Sequence, residues 1–460
     1  MQVVLAGYNV DSSVFSQNAK KEVITPETIS AAYARISRSK KTVTELRQQA
    51  LLEVEKARKS NDKIIFEMGH NSIAEHAVFN LDIIGVSRFL VEFIQHSRLA
   101  SFTEKSQRYV TLDGDFYLPA EIAGTMLETE FRELITQQNN TYKKLYKKAC
   151  NYLEDVGFEG SKRELKGKAK EDARYVLALA TQTQLGITIN ARSLEKLLCR
   201  LDSLPWLEAA ELKQKIEREI KGIAPSLIKY TEATEYEKEL EQRIPTVSVK
   251  HNLPQLQLLH YDYDGEDRIL AALLFQKNGG LMSQHLKRVK EYSSLEKNEI
   301  FGNILKNIQS YQSVPRAFEL ADFTFQLSIS SCCFGQLKRH RMSTIIKSNY
   351  QPQAGYVIPP LLRKIKAEKE IQFLMQRVEK MFYKLEEEKK GLGSYILTNA
   401  HRVNVIFHVN LRELYHFSRL RSDKHAQWEI REISLQIDSL LRNLFPNAAQ
   451  LLMGKDSFNR

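Results

Sequence analysis

The side chains with the most chemistry in them fall in two short stretches, LKRHRMSTIIKSNY at residues 337–350 and FIQHSRLASFTEKSQRY at residues 93–109. A guanidinium presents a planar fork of donors that grips a phosphate or a nucleobase carbonyl, so the cluster Arg339-His340-Arg341 suits a dianionic ligand. Each stretch ends an apolar run with basic residues and follows with a serine, and each lacks something the other has. The first reads Ser348-Asn349-Tyr350 where the second reads Ser106-Gln107-Arg108; the second reads Gln95-His96-Ser97-Arg98 where the first has its Arg-His-Arg. A third stretch, GHNSIAEH at residues 69–76, packs His70, Ser72, Glu75 and His76 just ahead of a strand pattern. Its plainest reading is a helix start in which Ser72 or Asn71 caps and Glu75 closes a box with Ser72. Its histidines lack the i, i+4 spacing of a helical zinc pair. With no G-x-G-x-x-G or Walker loop in the sequence, a bound nucleotide would be held by side chains more than by a glycine cradle.

These stretches sit at matching points of an internal repeat. Phe79, Leu81 and Ile83 alternate with Asn80 and Asp82, and Phe323, Phe325, Leu327 and Ile329 alternate with Thr324, Gln326, Ser328 and Ser330, so each run reads as a half-buried strand. A helical pattern follows each, through Phe89, Leu90, Phe93 and Ile94 in one and Phe334, Leu337 and Arg341 in the other, with the basic cluster near its end. Residues 256–275 echo the opening MQVVLAGYNVD together with TPETISAAYARIS at 25–37, where Thr25-Pro26 marks a helix start. GITINARSLEKLL at 186–198 is matched by VIFHVNLRELYHF at 405–417. Residues 231–255, with Pro245 and Pro254, have no matched partner and take the boundary. The expected organisation is α+β, in two tandem domains at residues 1–235 and 250–460, each a mixed sheet with long helices. The second closes with an amphipathic helix after Ser422-Asp423, through Ala426, Ile430, Ile433, Ile437, Leu440 and Leu444. The first diverges there: RLDSLPWLEAAEL at 200–212 contains Pro205 and does not reproduce the polar pattern RSDKHAQWE of residues 421–429.

A chain of 460 residues exceeds one ordinary core, which agrees with a duplication. Hydrophobic residues at 43% and charged residues at 27% exclude disordered and fibrous classes, and no run approaches the roughly 18 apolar residues of a membrane span. The opening lacks the basic n-region of a signal peptide, and the four cysteines form neither a C-x-x-C pair nor a metal-ligand spacing. A reducing, cytoplasmic setting without a structural zinc is therefore expected. The net charge of +11 points to anionic partners without choosing among nucleic acid, membrane surface and phosphorylated small molecules. Mixed runs such as KLEEEKKG at 384–391 and LKQKIEREIKG at 212–222 read as solvated helix faces.

Taken together, these motifs resemble the flavin-dependent thymidylate synthases, twice over. The first half keeps Gly69-His70, Ser72, Glu75-His76, the segment SFTEKSQRYV at 101–110, Arg174, and Asn190-Ala191-Arg192-Ser193. The second keeps Gln336, Arg339-His340-Arg341, Asn410 with Arg412, and LRSDKHAQWE at 420–429. What one lacks the other holds: the second reads SVPRAFEL at 313–320 in place of the Gly-His element, has no Ser-x-Arg arginine, and has Ser394 for Arg174. The first lacks the full Arg-His-Arg and the closing Leu-Arg-x-Asp-x-His.

The resemblance implies a flavin-dependent thymidylate synthase that transfers a methylene group from methylenetetrahydrofolate to C5 of deoxyuridylate, with FAD reduced by NADPH and no cysteine nucleophile. It implies that Glu104, Ser106, Arg108 and Arg174 bind deoxyuridylate together with Gln336, Arg339 and Arg421 from an unlike half. Arg421, polarising the uracil carbonyl, and His70, beside the flavin, are the implied catalytic residues. His70, Ser72, Glu75, Arg339, His340, Arg341, Asn410, Arg412 and His425 are the implied FAD ligands. Metal, nucleic acid and membrane have no part in that reading; the partners are deoxyuridylate and folate, and the family's homotetramer would become a homodimer of this chain. Two alternatives stand beside it. One is a divergent flavin enzyme acting on another pyrimidine nucleotide, suggested by Ser348-Asn349-Tyr350. The other is a non-catalytic basic nucleotide- or RNA-binding protein, which the chain fits less well because it has no RNP-type aromatic sheet signature.

Overall fold

Alternating hydrophobicity lays down the same four-stranded sheet twice in a computed structural model that describes residues 1–15, 24–110, 114–247 and 253–458. Strands β1 (Gln2–Tyr8), β2 (Val78–Ser87), β3 (Ala100–Glu104) and β4 (Gln182–Asn190) pair in the order β1-β2-β4-β3. Strands β5 (Leu256–Tyr261), β6 (Asp322–Ser330), β7 (Thr344–Lys347) and β8 (Arg402–Asn410) pair in the order β5-β6-β8-β7. Every pairing is antiparallel, and the registers correspond: Phe79 faces Ile189 as Phe323 faces Val409, and Ser101 faces Thr188 as Thr344 faces His408. A bulge between Ile84 and Val86 in β2, where Gly85 takes φ +78°, has no counterpart in β6.

The helices that recur are α1 (Arg88–Ile94), α2 (Met126–Asp155), α3 (Ala191–Ser203) and α4 (Leu207–Ile220) in the first repeat. Their counterparts are α5 (Ser331–Leu337), α6 (Glu368–Glu388), α7 (Leu411–Arg421) and α8 (Trp428–Leu444). Phe79, Leu81 and Ile83 of β2 and Leu185, Ile187 and Ile189 of β4 bury one sheet face against Leu194, Leu197 and Leu201 of α3 and Leu212 and Ile216 of α4. At each helix start a side chain takes an orphan N–H: Ser87 accepts from Leu90 and Ser330 from Cys333, both at 3.0 Å, while Asn190 accepts from Ser193 and Asn410 from Glu413.

Three carboxylates brace each repeat in the same way. Glu208 accepts from the Ser87 backbone N–H (2.7 Å) and hydroxyl (2.6 Å), and Glu429 accepts the same pair from Ser330. Glu27 accepts from the N–H and hydroxyl of Ser226, and Glu266 from the N–H and side-chain amide of Asn447. Arg192 donates to Glu75 at 2.6 Å, and Arg412 to Glu319 at 3.1 Å.

The compact units cut the chain differently from the repeats. One comprises Met1–Ser248 with Pro360–Thr398, the other Val249–Pro359 with Asn399–Arg460. Helix α6, from the second repeat, thus belongs to the first unit, where it packs on α2 with Lys144 paired to Glu370 at 2.8 Å. In that unit Ala178 bridges Thr398. The segment that takes the boundary holds a helix, Glu235–Arg243, opened by a capping box on Thr234. Helix α5 ends at Leu337, so Arg341 lies beyond it in a turn, and the buried stripe of α8 runs through Ile430, Ile433, Ile437 and Leu441, leaving Leu440 and Leu444 only partly covered. Pro26 sits at the N-cap of helix Glu27–Arg35, one position before the expected N1. Among the described residues no helix is long and apolar enough to cross a membrane.

Ser330→Ala removes a helix cap and two-pronged support of a buried carboxylate, for which we expect a loss of about 2–3 kcal/mol in stability. Denaturant unfolding of the variant measures it, and a midpoint unchanged from wild type would show that Glu429 does not depend on this serine.

Candidate functional site

In the second unit, the end of α5, the turn after it and α7 bring three predicted residues, Gln336, His340 and Arg421, together with Glu413. The Arg421 Nε–H donates to His340 Nε2 at 3.0 Å; its Nη1 and Nη2 donate to the side-chain and main-chain oxygens of Gln336 at 3.2 and 3.0 Å. His340 Nδ1 lies 3.2 Å from Glu413 Oε1. The imidazole is 2% exposed, and burial first, then the charges of Arg421, His416 and Arg339, hold its pKa well below the usual histidine range. Burial pushes the Glu413 carboxyl up. Arg339 and Arg341, on either side, are exposed. His340, implied as a direct FAD ligand, has both ring nitrogens engaged inside the unit, one by Arg421 and the other by Glu413. His340, Glu413 and His416 bring ligand atoms within 4.8 Å of one another. An arginine Nε can only donate, so Nε2 holds the lone pair and Nδ1 the proton, which leaves no imidazole lone pair for a cation.

In the first unit, Arg108 and Arg174 gather around Glu171. Arg108 pairs with the Glu171 carboxylate at 2.7 Å, Lys168 reaches the same group at 3.3 Å, and the Arg174 Nε donates to the Glu171 carbonyl at 3.2 Å. The Ser106 hydroxyl accepts from the Arg108 N–H. Glu104 is held by Arg88 at 2.7 Å and Gln95 at 3.2 Å. Next to Glu171, the Asp172 carboxyl is pushed up to about 6 by burial, and its Oδ2 accepts from the Leu361 N–H.

Strand register shows what became of these positions in the second repeat. Glu104 faces Leu185, and Lys347 faces Val405 at the matching place, so a cation stands where the first repeat has an anion. The next N–H bonds Gln184 in one repeat (from Lys105) and Asn404 in the other (from Ser348). Ser348 is thus the counterpart of Lys105 and not of Ser106. Asn349 matches Ser106, Tyr350 matches the equally buried Gln107, and exposed Gln351 stands at the place of Arg108. Reading Ser348-Asn349-Tyr350 as a damaged Ser-x-Arg was one residue out of step.

GHNSIAEH folds as a short 3-10 turn, Asn71–His76, behind Gly69, whose φ of +76° favours glycine. No side chain caps it, and Glu75 pairs with Arg192, so the capping-box reading fails. His70 and Ser72 are exposed; His76 meets Tyr33 edge to face. Asn410 is spent on capping α7, Arg412 bonds the Val314 carbonyl and Glu319, and His425 is exposed with its N–H on Asp423. Sequence reasoning missed Glu171, Glu413 and Arg88. The only available signal was a carboxylate or base standing near a motif, and Glu413 meets His340, and Glu171 meets Arg108, across long stretches of chain.

A family profile described as thymidylate synthase complementing protein matches residues 21–226 and again residues 257–447. The chain belongs to this family, that of the flavin-dependent thymidylate synthases, and carries it twice. It is similar to a UPF0159 protein of Thermoplasma acidophilum, 25% identical over 447 residues and covering 86% of this chain and 88% of that one. A flavin-dependent thymidylate synthase of Clostridium tetani is 34% identical over 210 residues, 45% of this chain and 82% of its own. Among solved structures, the crystal structure of flavin-dependent thymidylate synthase ThyX from Helicobacter pylori complexed with FAD and dUMP covers 50% of this chain and 100% of its own, at 18% identity and a TM-score of 0.32.

The register assignment predicts opposite outcomes for two arginine substitutions. Tyr350→Arg places a charge at a 2% exposed aromatic position beneath the Lys347 ammonium, 4.1 Å from the ring, and should cost at least about 3 kcal/mol. Gln351→Arg, on the surface, should stay within about 0.5 kcal/mol of wild type. Thermal melts of the two proteins compare them; equal losses would undo the register.

Proposed function

We propose that the protein is a flavin-dependent thymidylate synthase that converts deoxyuridylate to thymidylate, taking carbon from methylenetetrahydrofolate and reducing equivalents from NADPH through FAD. The observation that carries this reading is the division of polar side chains between the repeats. Glu104, Ser106, Arg108 and Arg174 have charge-reversed or uncharged counterparts in the second repeat, while Gln336, Arg339, His340 and Arg421 have none of their kind in the first. A single site type that draws one set from each kind of repeat accounts for both losses. Arg108 and Arg174 supply guanidiniums for the nucleotide phosphate, Ser106 a hydroxyl, and Arg421 a donor for the uracil carbonyl.

The donor chemistry fits FAD. Arg339 and Arg341 are exposed cations for its phosphates, and His70, Ser72 and His425 are exposed polar groups for its rings and sugar. Glu75, His340, Asn410 and Arg412, engaged with their own repeat, hold the walls in place. When bound, the flavin supplies the hydride chemistry that no side chain here possesses. The chain, with two repeats in place of two subunits, acts as a homodimer.

Equilibrium titration with deoxyuridylate tests the division. Arg108→Ala and Arg421→Ala, in different repeats, should each weaken binding by about 10- to 150-fold, the equivalent of roughly 1.5–3 kcal/mol for a lost charge-assisted contact. Arg98→Ala, on the side that lacks Arg-His-Arg, should change it less than about threefold. A large effect at Arg98 with none at Arg421 would mean a site contained in the first repeat alone. Turnover of deoxyuridylate with FAD, NADPH and methylenetetrahydrofolate tests the reaction itself.

A further inference from the structure

Glu413, His340, Arg421 and Gln336 form one continuous line of hydrogen bonds in the second unit, with spacings of 3.2, 3.0 and 3.2 Å. The middle link has a fixed polarity. Arg421 Nε has a proton and no lone pair, so His340 must accept at Nε2, and a neutral imidazole then carries its one proton on Nδ1, facing Glu413. The charged and titratable groups around the ring are Arg421, Glu413 and His416 on α7 and Arg339 on its own segment; Phe417 closes it with ring centroids 4.8 Å apart. A second proton would set an imidazolium against the Arg421 guanidinium and remove the acceptor that aims it.

The duplication supplies an independent control. Counting from the capping serines Ser87 and Ser330, the residue matching His340 is Ser97; counting from the capping asparagines Asn190 and Asn410, those matching Glu413 and Arg421 are Ser193 and Leu201. Histidine, glutamate and arginine are thus present together in one repeat and absent together from the other. We infer that Glu413 is a positioning residue: by accepting the Nδ1 proton it fixes the tautomer of His340, and that tautomer orients the Arg421 guanidinium for its ligand. The identity of that ligand as a pyrimidine nucleotide rests on the function proposed above; the tautomer lock does not.

Nitrogen-15 NMR of the full chain labelled in histidine, without ligand, should show His340 as the neutral Nδ1–H tautomer at pH 6 and pH 8. Glu413→Ala should move it toward the Nε2–H form or a mixture, and Glu413→Gln, whose amide oxygen can still accept, should restore it and show that the fold is intact. Deoxyuridylate titration should then show about a tenfold loss for Glu413→Ala, recovery to within about threefold for Glu413→Gln, and no further loss when Glu413→Ala is added to Arg421→Ala. An Nε2–H tautomer in the wild-type protein, or a Glu413→Ala protein with unchanged tautomer, overturns the inference. So does a Glu413→Ala loss that adds fully to that of Arg421→Ala. If the wild-type protein binds no deoxyuridylate while the tautomer behaves as described, the functional reading fails and the lock stands.

Discussion

A buried carboxylate gripping a serine at the start of a helix is the interaction on which each repeat depends. Glu208 and Glu429 each reach back from the last helix of their repeat to the serine that ends the second strand. That serine is also the cap of the next helix, so one carboxylate fixes where the strand stops and where the chain leaves toward the basic turn. Burying a carboxylate is costly unless donors surround it. Glu208 has three, including the Tyr395 hydroxyl at 2.8 Å, and burial still pushes its pKa up to about 7. A carboxyl raised in the folded state contributes most below its unfolded pKa, and that contribution is lost as pH rises toward about 7. The arrangement is retained because position matters: moving either serine would move everything after it.

From that fixed point the two repeats diverge in what they offer a ligand. The same place in the edge strand holds Glu104, fastened by Arg88 and Gln95, and Lys347, whose ammonium lies over Tyr350. A carboxylate and an ammonium cannot serve the same function toward one anionic ligand. The second repeat, lacking the anion and the Arg108 position, cannot form the first repeat's cluster, and the first repeat, with Ser97 and Leu201, cannot form the His340–Arg421 pair.

Sequence alone revealed the second strand of each repeat, the helix that follows it and the order of the motifs, because periods of two and 3.6 are local and the repeat supplied a second copy of each. It also singled out Arg108, Arg174, Gln336, Arg339 and Arg421 as candidates for a binding site. It could not find the partners. Arg108 meets Glu171, His340 meets Glu413 and Glu75 meets Arg192 across long stretches of chain, and no periodicity records such pairs. The off-by-one reading at Ser348 came from matching serine to serine, whereas hydrogen bonds to β8 set the register and pair Ser348 with Lys105. The placement of α6 was hidden for a related reason, since a helix's apolar stripe shows that it packs but not on which neighbour.

The duplication also separates structural from functional residues within a single chain. Pairs found in both repeats, Glu27 with Ser226 and Glu266 with Asn447, Glu75 with Arg192 and Glu319 with Arg412, and Glu208 with Ser87 and Glu429 with Ser330, hold equivalent segments together whatever the repeat binds. Residues found in only one repeat do not share that common duty, which makes them the candidates for a ligand. By this criterion Glu75, Asn410 and Arg412, which motif matching assigned to the flavin, act first as braces and caps, since their counterparts Glu319, Asn190 and Arg192 do the same work. His70, Arg108, Arg174, Arg339 and Arg421 fall on the other side. Glu413 joins them, although it carries no motif, because its counterpart Ser193 sits at the same helix turn with no histidine to hold.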